Sequence, residues 1–337
     1  MTDLVLVGCY TAEANGNGTG ISAFRRDPAS GGLTLASTLP MTSPSWLAKH
    51  PTAPILYATN ETATGEVSSA AVDADGGLTA LDAASTGGGH PCQLAVTPDG
   101  RFLVCANYSG GSVAVFALGP DGRLGERTAL VRHTGSGPRT DRQEAAHVHM
   151  VVPSADSRVV SAVDLGTDEI RSYRLSPDGA LDPLAVSPLP PGTGPRQLVR
   201  RDGTGLAYVA GELSGKLLTL RETSPGAFET IHVADATAER SGTENLVAHL
   251  EVTGSRAYLS SRGPDCVTEF TTDPATPVAD QPCGAGPRHF ALDGGHCFVA
   301  AQDEDALTAF PVAELGKAEP RRHPTGSPSF VLPLTVA

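Results

Sequence analysis

Apolar and polar residues alternate along this chain in a unit that recurs seven times. Each unit has a turn of small residues, a short apolar run, a polar turn, and a second apolar run that ends in polar residues. One clear copy is GGGHPCQLAVTPDGRFLVCANY at 87–108, and another is GTGPRQLVRRDGTGLAYVAGE at 192–212. Runs this short, rich in Val and Leu and bounded by Gly and Pro, predict β-strands.

The copies are spaced like the blades of a propeller. Equivalent positions recur every 40 to 57 residues or so, roughly the period of kelch and WD repeats. These positions are Pro44, Pro91, Val148, Pro195, Val247, Pro287 and Pro328. The last copy provides only its first run, and the head of the chain, DLVLVGCY at 3–10, provides a second.

Pairing of the two chain ends would complete the ring and remove an exposed sheet edge. We therefore predict an all-β, seven-bladed β-propeller closed by the N-terminal strand. Residues 4–9 should pair with residues 329–334, and residues 1–337 should form one domain.

Charge and composition restrict the class of partner. The net charge of −13 argues against a nucleic-acid or anionic-membrane surface. No apolar run reaches membrane-spanning length, and the start of the chain lacks the basic and apolar regions of a signal peptide. The six cysteines form no C-x-x-C pair, and several lie inside apolar runs, as reduced buried thiols do. We expect a cytoplasmic protein that binds neither nucleic acid nor membrane.

Three stretches carry a family resemblance: VGCYT…GTGISAF, HPCQLAVTPDGRFLVCANYSGGSVAVF and GSGPRTDRQEAAHVHMVVPS. With them the chain resembles the lactonase-type seven-bladed propellers, which include cycloisomerase-like 6-phosphogluconolactonases and carboxymuconate lactonizing enzymes. The resemblance covers essentially the whole chain. It implies a small anionic lactone or sugar acid as the substrate, and we expect no cofactor.

Polar residues recur where the first runs begin and the second runs end, and in a propeller these ends converge on one face of the channel. Arg196 begins and Glu212 ends the same copy, so the two could form an ion pair. Guanidinium groups also suit carboxylate and phosphate ligands. The resemblance matches four residues to the family's proposed active site, and we predict these as catalytic: His149, Arg196, Glu212 and Arg262. We predict four further residues as substrate-binding: Arg288, His147, Asn107 and Arg142.

The H-x-H pair at His147 and His149 leaves two interpretations open. Alternate residues of a strand face the same side, so the two imidazoles could lie together. They would then serve as metal ligands, or in acid–base catalysis and substrate binding. No third ligand stands at a recognisable spacing, and we expect a metal-free site. The polar segment 133–146, which carries Arg142, is either a lid over the channel or a surface insertion.

Three functions fit these observations. The first is hydrolysis of a lactone, most directly 6-phosphoglucono-1,5-lactone of the pentose phosphate pathway, with arginines polarising the carbonyl and His149 or Glu212 activating water. The second is a lactonizing cyclase that acts on a muconate-type diacid, which two arginine clamps would suit. The third is a non-catalytic binding module, a common use of propellers, although such a module has no need of the His, Glu and Arg set. We predict the hydrolase.

Overall fold

The computed structural model describes residues 2–27, 31–239 and 241–336. Within these residues, 28 strands form seven four-stranded antiparallel sheets, which are the predicted blades. Blade 1 combines the two ends of the chain, in the order β28 (Pro328–Val336), β1 (Thr2–Cys9), β2 (Gly20–Arg26) and β3 (Leu33–Pro40). The seven-bladed architecture expected from the repeat is thereby confirmed.

Each of the other blades takes four strands in chain order, from the channel outward. Blade 2 contains β4 (Leu47–Lys49), β5 (Ile55–Asn60), β6 (Glu66–Val72) and β7 (Leu78–Ser85). Blade 3 contains β8 (Pro91–Val96), β9 (Phe102–Asn107), β10 (Ser112–Leu118) and β11 (Leu124–Arg132). Blade 4 contains β12 (Val148–Pro153), β13 (Val159–Asp164), β14 (Glu169–Leu175) and β15 (Leu181–Pro188).

The remaining blades follow the same plan. Blade 5 contains β16 (Pro195–Arg201), β17 (Leu206–Gly211), β18 (Lys216–Ser224) and β19 (Ala227–Asp235). Blade 6 contains β20 (Leu246–Thr253), β21 (Arg256–Arg262), β22 (Cys266–Thr272) and β23 (Ala275–Pro282). Blade 7 contains β24 (Pro287–Asp293), β25 (His296–Ala301), β26 (Ala306–Pro311) and β27 (Arg321–Pro324).

Helical structure in the described residues is limited to three short 3-10 turns, at Ala12–Ala14, Gln302–Glu304 and Val312–Glu314. In the same part of the chain, no helix has the length and apolar character needed to cross a bilayer. The cysteines Cys9, Cys92, Cys105, Cys266, Cys283 and Cys297 are all free and buried.

The ring closes through the predicted pair of strands. β1 runs antiparallel to β28, with Leu4 opposite Leu334 and Gly8 opposite Phe330. Val5 and Val7 are fully buried in a cluster that joins blade 1 to blade 7. Seven such apolar clusters lie within the described residues, one between each pair of neighbouring blades. The core is therefore a ring of inter-blade contacts. Displacement of any one blade would expose the two apolar clusters that flank it.

Deletion of residues 1–10 should abolish cooperative unfolding, because it exposes the β28 edge and opens the clusters on both sides of blade 1. Thr2 lies opposite Val336, so the two ends can instead be joined by a short turn. A circular permutant with new termini in the 12–19 loop keeps every strand and should unfold as cooperatively as the wild type. Chemical denaturation followed by circular dichroism tests both, and a deletion variant with wild-type cooperativity would contradict the closure argument.

Candidate active site

Five of the innermost strands in the described residues begin with an extra residue that has no partner in the regular ladder. In blade 5, Pro195 lies opposite Gly211 and Gln197 opposite Ala210, so Arg196 has no partner across the sheet. The same shift in strand register leaves four other residues without a partner across the sheet: Cys92, His149, Arg288 and Ser329. A β-bulge of this kind re-aims a side chain. These bulged side chains are therefore directed to the mouth of the channel.

A tight turn lies before the inner strand in five blades, and in blades 1, 3, 5 and 7 it directly precedes the bulge. The residue before the inner-strand proline has a positive φ, between 36° and 64°, at Ser43, His90, Gly194, Gly286 and Ser327. The carbonyl of each of these residues accepts a backbone hydrogen bond from the residue that follows the second strand of the same blade. Those residues are Glu61, Tyr108, Glu212, Gln302 and Tyr10. The turn thus brings a second ring of side chains to the same mouth.

Glu212 is the centre of the predicted cluster. Its side chain is 3% exposed, and it accepts Arg196 Nη1 on Oε2 at 2.7 Å. Arg262 Nη2 lies 3.2 Å from the same oxygen, and Arg142 Nη2 donates to Oε1 at 2.8 Å. The structure therefore brings together three arginines from the 133–147 loop, blade 5 and blade 6 on one carboxylate.

His149 joins this cluster through Arg196. Its Nε2 accepts a hydrogen bond from Arg196 Nη1 at 2.6 Å, while Arg196 Nε donates to the carbonyl of Ala248 at 2.8 Å. All four residues predicted as catalytic therefore lie in one connected network. The Arg196–Glu212 pair expected from the repeat is present.

The network fixes the charge states of its members. Burial favours protonation of Glu212, but Arg262, Arg196 and Arg142 hold its pKa well below the usual value. Burial, and then the charge of Arg196, hold the pKa of His149 well below 6.5, so its imidazole is neutral at physiological pH. Burial lowers the pKa of Arg262 to about 10, and the group stays charged.

The loop between β11 and β12, residues 133–147, delivers Arg142 and is fastened at both ends. His133 Nδ1 lies 2.7 Å from Asp164 Oδ2, and Tyr173 Oη lies 2.8 Å from His133 Nε2. At the other end, the His147 backbone N–H donates to Asp164 Oδ1 at 2.8 Å. The buried amide of Gln143 bonds the carbonyl of Leu165 at 2.8 Å. The loop is thus an ordered cover that takes part in the cluster.

Two of the predicted substrate-binding residues lie outside the cluster. The side-chain nitrogen of Asn107 donates to Ser112 at 3.1 Å, and its Oδ1 is buried without a partner among the described residues. The next residue, Tyr108, reaches the mouth instead. His147 stacks on Tyr108, with ring centroids 4.5 Å apart, and bonds Glu144 at 3.1 Å.

The expected alternation of the H-x-H pair is broken because the bulge falls on His149. The two imidazoles contact the same aromatic ring in different geometries. His147 is stacked on Tyr108, whereas His149 forms a T-shaped pair with that ring, with the centroids 5.7 Å apart. Within residues 2–27, 31–239 and 241–336, no group of three or more His, Cys, Asp or Glu side chains is placed to hold a metal ion.

Arg288 lies beside a second group of polar residues, Tyr10 and Glu61. The sequence analysis did not predict these two as site residues. The guanidinium carbon of Arg288 lies 5.0 Å from the centroid of the Tyr10 ring. The Tyr10 hydroxyl donates to Glu61 at 3.0 Å. No hydrogen bond joins the Arg288 guanidinium to any other described residue, and Tyr10 and Glu61 raise its pKa against the effect of burial. The signal that could have found Tyr10 and Tyr108 was the position directly after each second strand.

Aromatic and imidazole rings from blades 1, 2, 6 and 7 pack against one another. Trp46 lies 5.2 Å from His289 and 4.4 Å from Phe330, while His249 and His289 have centroids 3.6 Å apart.

Guanidinium groups outnumber the carboxylates they surround, because Arg142, Arg196, Arg262 and Arg288 lie around Glu212 and Glu61 in a protein of net charge −13. A local cluster of positive charge of this kind suits a small anionic substrate.

The chain matches the family described as Lactonase, 7-bladed beta-propeller, over residues 4–333, and belongs to that family. A 6-phosphogluconolactonase of Bacillus subtilis is 31% identical over 89% of this chain and 87% of its own length. The solved structure of a periplasmic gluconolactonase from Pseudomonas aeruginosa has 28% identity and a TM-score of 0.92, with 100% of both chains covered. The solved structure of a putative 6-phosphogluconolactonase from Bacteroides fragilis has 28% identity and a TM-score of 0.90, with 99% of this chain and 98% of that chain covered. These matches confirm the expected family and the expected class of enzyme, a lactonase.

Replacement of Glu212 by Gln should destabilise the fold by about 3–5 kcal/mol near neutral pH, because it leaves buried guanidinium groups without their counter-charge. The folded-state pKa of Glu212 is depressed, so its contribution is complete above about pH 4.5 and disappears as the pH falls through the folded-state pKa. Denaturant titrations of wild type and Glu212→Gln from pH 7 to pH 3 measure this difference.

The exposed Glu244 lies 3.6 Å from Arg139 and provides the matched control, since Glu244→Gln should change stability by less than about 0.5 kcal/mol. A Glu212→Gln variant as stable as Glu244→Gln would contradict the proposed role of the carboxylate.

Proposed function

We propose that this protein hydrolyses 6-phosphoglucono-1,5-lactone to 6-phosphogluconate. The observation that carries the proposal is the Glu212 carboxylate, which fixes three arginines beside a neutral histidine. The Bacillus subtilis relative, named 6-phosphogluconolactonase, supports the choice of lactone. The surplus of positive charge at the mouth fits a phosphorylated substrate better than a neutral one.

Arg196 and Arg262 are placed to donate to the lactone carbonyl and to the oxyanion that forms when water attacks it. Their guanidinium groups are held side by side by Glu212 before substrate arrives. Both carboxylate oxygens of Glu212 are occupied by arginine donors. We therefore assign it to positioning the arginines rather than to proton transfer.

His149 is the base in this mechanism. When Arg196 turns its N–H toward the substrate oxygen, the Nε2 lone pair of His149 is released to accept a proton from water. The water oxygen bonds to the carbonyl carbon, the ring carbon–oxygen bond breaks, and His149 returns the proton to the leaving ring oxygen. One water molecule is consumed and no covalent intermediate is formed.

The phosphate is assigned to Arg142. The phosphorylated carbon is remote from the reacting carbonyl, and the Arg142 side chain, 33% exposed, is more accessible than Arg196 at 6% or Arg262 at 19%. Arg288 remains available for other substrate oxygens. His147 and Asn107 remain predictions, with His147 acting through Tyr108.

A cytoplasmic location and a role in the pentose phosphate pathway are part of this proposal. Six free cysteines suit a reducing compartment. The Pseudomonas aeruginosa protein is titled periplasmic, so fractionation of the native host is the appropriate check.

Purified protein should accelerate the loss of 6-phosphoglucono-1,5-lactone above its spontaneous rate, and a chelator should leave that rate unchanged because the mechanism uses no metal. A rate equal to that of buffer would contradict the proposal. Formation of a lactone from carboxymuconate would favour the cyclase, and rescue of chelated enzyme by a divalent ion would make His147 and His149 metal ligands.

Arg142→Gln should lower kcat/KM for the phosphorylated lactone by roughly tenfold to a hundredfold, the effect of a lost hydrogen bond to a charged group. The loss in kcat/KM should be smaller on unphosphorylated gluconolactone. Arg139→Gln is the control, since it removes the same charge from the same loop at a residue paired with Asp141. Equal losses on the two lactones would contradict the assignment of Arg142.

A further inference from the structure

The mouth has a second carboxylate, Glu61, which the hydrolytic mechanism does not use. It follows β5 of blade 2, three blades from Glu212. The turn at Ser43 places it there, because the Glu61 backbone N–H donates to the Ser43 carbonyl at 3.0 Å. This is the same contact that positions Glu212 in blade 5.

Glu61 is held by one oxygen only. Its Oε2 accepts the Tyr10 hydroxyl at 3.0 Å and the Ser45 hydroxyl at 2.5 Å. Its Oε1 has no hydrogen bond with any described residue. That oxygen is also not one of the fully buried side-chain atoms without a partner, so part of its surface is exposed. That oxygen is therefore an accessible acceptor in a side chain of fixed orientation.

Neighbouring groups add donors to this acceptor. The Arg288 guanidinium lies over the Tyr10 ring and has its N–H groups free of hydrogen bonds to other described residues. Burial raises the pKa of Tyr10, so its phenol remains a donor and keeps Glu61 in place. A fixed carboxylate acceptor beside an unpartnered guanidinium donor matches a group that can both donate and accept, namely a hydroxyl.

We propose that Glu61, with Arg288 beside it, forms a subsite that recognises the ring hydroxyls of an aldonolactone, and that Tyr10 and Ser45 are its positioning residues. This inference rests on the proposed lactone hydrolysis and names the residues that recognise the hydroxyls of the lactone. Gluconolactones carry hydroxyls next to the carbonyl, whereas δ-valerolactone has the same ring and reacting ester without them. A site built to hydrogen-bond a substrate hydroxyl discriminates against an analogue that lacks it.

The test compares glucono-1,5-lactone with δ-valerolactone, each corrected for spontaneous hydrolysis, for wild type and Glu61→Gln. The variant should lose roughly tenfold to a hundredfold in kcat/KM on gluconolactone and less than about threefold on δ-valerolactone. Tyr10→Phe should show a smaller loss in the same direction. Glu66→Gln, an exposed carboxylate of the same blade, should match the wild type on both substrates.

The outcomes separate the two proposals. Hydrolysis of both lactones by wild type, with equal losses or no loss in Glu61→Gln, would overturn the hydroxyl subsite and leave lactone hydrolysis standing. A wild type that hydrolyses no lactone would overturn both. Binding of gluconate, followed by calorimetry, gives a second readout, since Glu61→Gln should weaken it by a similar factor and unchanged binding would contradict the subsite.

Discussion

One buried carboxylate makes the channel mouth possible. Three guanidinium groups cannot share a largely dry space without a counter-charge, because each would lose its hydration and repel the others. Glu212 removes that conflict by accepting Arg142, Arg196 and Arg262 at 2.7–3.2 Å. It thereby ties the 133–147 loop to blades 5 and 6. These contacts occupy both oxygens of the Glu212 carboxylate. The mechanism therefore assigns proton transfer to His149.

The propeller supplies these side chains by repeating one local geometry. In blades 1, 3, 5 and 7 a positive-φ turn, a proline and a bulge open the inner strand, while blade 2 has the turn and the proline without the bulge. In these five blades the residue after the second strand is hydrogen-bonded back to the turn. The backbone of the site is therefore set by features shared among blades, while its chemistry depends on which side chain occupies each repeated position. Blade 5 places Arg196 and Glu212 there, and blade 2 places Ser45 and Glu61.

Much of this could be predicted from the pattern of apolar runs. The strands, the seven blades and the closure by residues 3–10 follow from the repeat, since each copy must bury its apolar faces against its neighbours. The pairing of Arg196 with Glu212 also follows, because both stand at fixed positions of one copy. Asn107 and His147, which lie outside the Glu212 cluster, show what the repeat leaves open. A bulge changes which residue faces the channel, and in blade 4 it falls on His149 after Val148, with no proline before it.

Contacts between distant segments could not be predicted from the sequence. Arg142 reaches Glu212 across 70 residues, and its position depends on the ties of His133 and His147 to Asp164. Glu61 follows the second strand of its blade as Glu212 does, but its significance depends on which of its two oxygens is occupied. Such details come from packing in three dimensions, where a change of one residue in register decides the partner.

The central claim is that a neutral His149, beside arginines fixed by Glu212, hydrolyses the lactone. Its most direct test is the pH dependence of 6-phosphoglucono-1,5-lactone turnover by wild type, His149→Asn and Glu212→Gln, with the fold of each variant verified by its unfolding transition. The wild-type kcat should stay level as the pH falls through 6.5, because the pKa of His149 is held well below that value. His149→Asn should lose about two to four orders of magnitude in kcat, as expected for a general base, and Glu212→Gln about two to three orders, because the oxyanion donors Arg196 and Arg262 are no longer held in place. A wild-type rate that falls with a midpoint near pH 6.5, or a folded variant with wild-type turnover, would contradict the account.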